Sequence, residues 1–140
     1  MKTHHIGYLV KDIQKAALAF EKLGYARTSP NVKDDIRQVI ICFMWKGGAE
    51  AVIELVQPAN EDSPIYGLLK RFKNAPYHIC YEVECLDEAI AMLSKEDFIL
   101  IRPPEIAPAI NNQLVAFLNN SSIGIIELLQ TGGNKCLILN

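Results

Sequence analysis

From His4 onward, apolar residues first alternate with other positions and then recur every three or four. In HIGYLV, Ile6, Tyr8 and Val10 share one side and His5, Gly7 and Leu9 the other, the two-residue period of a strand. Asp12 then offers an N-cap to a helix whose Ile13, Ala16, Ala17, Phe20 and Leu23 share a face, with Gly24 as its stop. Three further strands are expected at about 26–29, 38–45 and 49–57, the last two joined by a Gly47–Gly48 hairpin turn.

The pattern then occurs a second time. A shift of 73 residues (78 − 5) lays residues 77–98 on 4–25, matching Ile6 with Ile79, Tyr8 with Tyr81, Val10 with Val83 and Ala16 with Ala89. The same shift lays VIELVQ on IIELLQ. In the second copy the helical stripe is Leu86, Ala89, Ile90 and Leu93, and Cys85 stands where Asp12 caps the first helix. That replacement should cost about 1 kcal/mol of capping. Strands are expected at 99–102, 113–119 and 123–130, with a turn near 120–122. The order is β-α-β-β-β twice, an α+β fold built as a paired-module domain rather than a solenoid. Module one covers about 3–57 and module two about 77–130. The connector, 58–76, holds a short helix marked by Ser63, Pro64 and the basic Lys70, Arg71 and Lys73. A tail from 131 to 140 contains Leu137-Ile138-Leu139, either a packed terminal strand or an interface piece.

Composition narrows the partners. The 140 residues are 50% hydrophobic and 21% charged, the balance of one globular domain. Fourteen basic against sixteen acidic side chains leave a net charge of −2, which speaks against a nucleic-acid partner. No apolar run has the length of a membrane span, and the start lacks the apolar region of a signal peptide. Cys42, Cys80, Cys85 and Cys136 show neither metal-finger spacing nor a dense disulfide framework. A reducing cytoplasm is the expected compartment.

Histidine and glutamate recur at matched places. His5 and His78 open the first strand of each module, and Glu54 and Glu127 lie in the last, 49 residues on in both (54 − 5 and 127 − 78). Each glutamate interrupts an otherwise apolar strand, and a buried carboxylate is costly unless paired, hydrogen-bonded or metal-bound. Two carboxylates and two imidazoles brought together would hold a divalent cation such as nickel, zinc, cobalt or iron(II). Four protein ligands would leave two octahedral positions for neighbouring substrate oxygens, which is Lewis-acid chemistry.

HHIGYLVKDI, VIELVQP, YHICYEVECLDEAIAML and GIIELLQ together resemble the vicinal oxygen chelate superfamily, across nearly the whole chain. The resemblance implies two βαβββ modules forming a curved sheet around one metal held by His5, Glu54, His78 and Glu127. Within the superfamily the two-His, two-Glu set resembles glyoxalase I, with EDSPI and EIAPAI also similar. It implies a cytoplasmic lyase that converts the hemithioacetal of methylglyoxal and a thiol into a 2-hydroxyacyl thioester. Glu127 would move the proton and Glu54 would be its counterpart, in a protein expected to be a homodimer.

Methylmalonyl-CoA epimerase is the alternative, with similar HIG and SPI motifs. Epimerases carry an added acidic residue before the third strand; here DDIRQVIICF places Ile36 to Gln38 there, with Asp35 nearby. A third reading is a small-molecule binding protein of bleomycin-resistance type.

Overall fold

The computed structural model describes residues 1–133, so the Leu137-Ile138-Leu139 expectation lies outside the described residues. Two compact units divide the chain: His5–Tyr77, and Met1–His4 together with the residues from His78 onward.

In the first unit, β1 (Lys2–Leu9) leads into α1 (Ile13–Glu21), followed by β2 (Ala26–Arg27), β3 (Val32–Asp34), β4 (Val39–Trp45) and β5 (Ile53–Pro58). The strand order is β2-β4-β5-β1, with β3 also on β4. β1 and β5 run parallel, and β4 pairs antiparallel with β5. α1 forms where expected, and Asp12 caps it by accepting from the Lys15 backbone N–H at 3.1 Å. Ile13 and Ala17 are buried among Val10, Cys42, Met44, Ile53 and Leu55, and Ile6, Tyr8, Ala16 and Phe20 pack against them. Leu23 departs from the expected stripe. It lies beyond the helix and is 64% exposed, because the chain has already turned towards Gly24 at φ +98°.

Three other expectations are corrected. β5 starts at Ile53 rather than at residue 49. Gly47 and Gly48, both at positive φ, belong to a longer loop in which Glu50 N–H donates to Gly47 O and Trp45 Nε1 donates to Glu50 O. The short strand β3 was not expected, because VKD has no apolar alternation; pairing Val32 to Ile41 and Asp34 to Val39 makes it a strand. After the first unit's sheet, α2 (Tyr66–Phe72) begins later than Ser63, since the Ser63 carbonyl, not its hydroxyl, accepts from Tyr66 in a preceding turn.

The second unit repeats the design with β6 (Ala75–Val83), α3 (Leu86–Ser94), β7 (Phe98–Ala107), a 3-10 turn (Pro108–Ile110), β8 (Gln113–Asn120) and β9 (Gly124–Gln130). Its strand order is β6-β9-β8-β7, with β6 and β9 parallel. Leu86 and Ala89 are buried against Val83, Ala116, Leu118, Ile126 and Leu128, with Ile90 and Leu93 packed beside them. β7 is longer than residues 99–102, running on through Pro103 and Pro104 with two register shifts against β8.

Cys85 makes no side-chain cap, as expected. The capping is supplied from elsewhere. Gln130, at the end of β9, accepts from the Leu86 N–H at 3.0 Å, as Gln57 at the end of β5 accepts from the Ile13 N–H at 2.8 Å. Each helix start is thus satisfied by an amide from the last strand of its own module, and the capping position in module two can be non-polar. We predict that Gln57→Ala or Gln130→Ala lowers stability by about 1–2 kcal/mol, because each strands a helix N–H. Urea unfolding should show the lower midpoint with an unchanged slope.

Candidate functional site

Each module builds the same small constellation. In the first, His5 on β1 and Glu54 on β5 lie on the sheet face opposite α1, with Gly7, the Cα partner of Glu54, between them. His5 Nε2 stands 3.4 Å from Glu54 Oε1. In the second module His78 Nε2 stands 3.1 Å from Glu127 Oε1. All four residues are buried, the two glutamates at 4% and 3% exposure.

Parity explains the placement. Ile6 and Tyr8 pack with α1 while His5 points the other way, and Glu54 sits between Ile53 and Leu55, which join the helix-side core. Glu127 is likewise set between Ile126 and Leu128 of the second core. His5 and Glu54 form a buried imidazole–carboxylate pair in one unit, and His78 and Glu127 form one in the other.

A feature the sequence reading missed is the aromatic ring on each histidine. Phe43, the Cα partner of Glu54, meets the His5 ring edge-on at 5.5 Å, and Phe117, the partner of Glu127, meets His78 edge-on at 5.5 Å. Edge-to-face contacts of this kind favour one orientation of each imidazole. The signal was present as IICFM against LVAFL, but its offset is 74 (117 − 43), one more than that of the other motifs.

The pairs fit a cation by their own dimensions. Two donor atoms at right angles, each about 2.1 Å from a metal, are about 3.0 Å apart. The His78–Glu127 separation is close to that value and the His5–Glu54 separation slightly longer. Mixed imidazole and carboxylate donors suit borderline divalent ions, and burying a carboxylate costs several kcal/mol unless a counter-charge offsets it.

Other polar groups on these faces are engaged differently. Asp34 and Arg37 are buried; Asp34 accepts from Arg37 Nη1 at 2.8 Å and from its backbone N–H at 3.0 Å. Asp35 is exposed beside Lys33, 3.6 Å away. Gln38 is half-buried at φ +53°. No acidic side chain therefore stands in the 36–38 stretch. Cys80, the Cα partner of Glu127, is fully buried. Cys42 is a free cysteine and belongs to the helix-side core.

A family model described as Glyoxalase/Bleomycin resistance protein/Dioxygenase superfamily matches residues 4–117. The human mitochondrial methylmalonyl-CoA epimerase is 30% identical over 132 residues, covering 92% of this chain and 73% of that protein. The uncharacterized Bacillus subtilis protein YqjC is 27% identical over 135 residues, covering 94% and 93%. Among solved structures, methylmalonyl-CoA epimerase from Mycobacterium tuberculosis superposes with a TM-score of 0.81 at 21% identity, covering 92% of this chain and 87% of that one.

These findings bear out the vicinal oxygen chelate fold and correct the lyase expectation. The relatives at 30% identity carry the name of an epimerase, so glyoxalase I activity and methylglyoxal detoxification are withdrawn. The reason is chemical. A two-His, two-Glu set speaks of charge developing on oxygen beside a carbon acid, and both reactions need that. It does not say which substrate presents the carbon. No helix among the described residues is long and apolar enough to cross a membrane.

Burial raises the Cys42 thiol above its ordinary range, and the nearby Arg27 offsets this only in part. A raised pKa means less thiolate at any given pH, so alkylation should be slow. We expect the Cys42 peptide to stay unlabelled by iodoacetamide at pH 8 in the native protein and to label after unfolding, as read by mass spectrometry.

Proposed function

Because the chain belongs to the Glyoxalase/Bleomycin resistance protein/Dioxygenase superfamily, we propose that it is a metal-dependent epimerase acting at the carbon beside the carbonyl of a malonyl-type CoA thioester. The observation that carries this reading is the likeness to the human methylmalonyl-CoA epimerase across 92% of the chain. The two buried imidazole–carboxylate pairs support it from the side of chemistry.

His5, Glu54, His78 and Glu127 are the residues proposed to hold one divalent cation, with nickel, cobalt and zinc all compatible with the donors. When bound, the cation would supply Lewis-acid stabilisation of negative charge on substrate oxygen. The proton is the work of the side chains. Glu127 takes the proton from the carbon; the C–H electron pair passes into the thioester carbonyl, and the carboxylate becomes a carboxylic acid. Glu54, entering the cycle as its carboxylic acid, gives its proton to the other side of the same carbon as the enolate electron pair returns there, which inverts the centre, and proton exchange with solvent resets both carboxyl groups. Asp34, held twice by Arg37, is not offered this role. Phe43 and Phe117 favour one orientation of each imidazole.

The test is deuterium wash-in. In D2O, the metal-loaded protein should replace the α-proton of methylmalonyl-CoA as it equilibrates the two epimers, followed by proton NMR and chiral analysis. No exchange above background with nickel, cobalt or zinc would refute the reading. Chelation with EDTA should abolish exchange, and added metal should restore it. Glu127→Gln should retain measurable metal while exchange falls about 10²–10⁴-fold, the usual contribution of a positioned base. A variant as active as the wild type would remove Glu127 from its role.

A further inference from the structure

The end of α2 gathers cations that no acid opposes. Lys70, Arg71 and Lys73 stand in or just after its last turn, all exposed. Lys11, also exposed, is fastened beside them, because its backbone N–H donates to Asn74 Oδ1 at 2.9 Å. Among the described residues none of the four is in an ion pair. The helix end offers about half a negative charge in return. Four cations exceed that, so the patch is positive although the whole chain carries −2.

Aromatic rings steady two of these cations. Lys70 Nζ lies 5.6 Å from the centre of the Tyr66 ring, one turn earlier, and the Arg71 guanidinium carbon lies 5.2 Å from that of Phe72. Such contacts hold a cation without neutralising it. Arg71 takes at most one side of Phe72, which stays 54% exposed. Lys73 is held at φ +60° and ψ −158°, a conformation that belongs almost to glycine alone, yet the chain carries a lysine there.

The patch also has a fixed reach from one imidazole–carboxylate pair. Within the unit His5–Tyr77 it lies at the far end of the strand that carries His5, six residues on (11 − 5). Six residues span at most about 22 Å. An extended pantetheine arm bridges a gap of that order. At its far end such a carrier bears a diphosphate, a further phosphate and a flat base. Ammonium and guanidinium groups suit the phosphates, and an exposed phenyl ring suits the base.

We propose that Lys11, Lys70, Arg71, Lys73 and Phe72 form a subsite for the 3′-phosphorylated adenine nucleotide of the acyl carrier, with the base stacked on Phe72. The proposal rests on the epimerase reading for the identity of the carrier and deepens it by assigning the residues that hold the carrier's far end.

Calorimetry on the metal-loaded protein tests it with three probes: CoA, dephospho-CoA, which lacks the 3′-phosphate, and inorganic diphosphate, which lacks the base. CoA should bind about tenfold more tightly than dephospho-CoA, as a charge-assisted contact does, and more tightly still than diphosphate. The double variant Lys70→Gln, Arg71→Gln should weaken CoA about tenfold or more and shrink its advantage over dephospho-CoA. Phe72→Ala should weaken CoA and dephospho-CoA alike, by about fivefold or more. Lys73→Gly should raise the urea midpoint by relieving the backbone and yet weaken CoA, a split that a purely structural lysine would not produce. Diphosphate bound as tightly as CoA would reduce the patch to a general anion surface and overturn the proposal. CoA binding left intact in the double variant and in Phe72→Ala would overturn it as well. In turnover, the double variant should raise KM for methylmalonyl-CoA about tenfold with a smaller change in kcat. Binding is read apart from turnover. CoA binding that the double variant loses, without α-proton exchange, would sink the epimerase reading alone, and exchange with a KM that the double variant leaves unchanged would sink this one alone.

Discussion

A carboxylate placed in the middle of an apolar strand and pressed against an imidazole is the constraint around which each half of this protein is arranged. Glu54 and Glu127 are almost fully withdrawn from water, each a little over 3 Å from a histidine nitrogen. Such a charge is several kcal/mol less favourable in the interior than in solvent unless something opposes it. The surroundings cannot relax to hydrate it, because the neighbouring side chains on both sides belong to a packed core and a phenyl ring lies across the strand. Stability alone would favour an apolar residue at either position. Both modules nonetheless carry a glutamate there.

The two modules share a plan and differ in the setting of their acid–arginine pairs. Both close a helix start with a glutamine from the last strand, and both set a phenylalanine on the histidine. In module one the acid–arginine pair, Asp34 and Arg37, is sealed in a turn that props up the short β3. In module two the acid–arginine pair Arg102 and Glu105 is accessible on an irregular strand.

Much of this was legible in the chain. His5, Glu54, His78 and Glu127 stood out because the same two residue types recur at one spacing, and period-two alternation placed them away from the helices. The helices and the longer strands followed from apolar periodicity. Phe43 and Phe117 escaped because an apolar residue in an apolar strand carries no local mark, and their offset differs by one from that of the other motifs. Arg102 and Glu105 escaped for a sharper reason. A regular strand would set residues three apart on opposite faces, and the shifts that bring them together arise from pairing with β8. Strand β3 likewise exists by virtue of its partner. The lyase expectation failed because two histidines and two glutamates at one spacing mark a chemistry and do not name its substrate.

Gln57 lies three residues after Glu54, and Gln130 three after Glu127, so each amide faces a helix while each acid faces away from it. One strand therefore carries a structural anchor and a chemical group in fixed phase. Sliding either strand by a single position would unseat the amide and turn the acid into the hydrocarbon layer at the same moment. Folding errors in this segment are thus penalised twice over, and a chain that has docked its helix correctly has aimed its carboxylate by the same act.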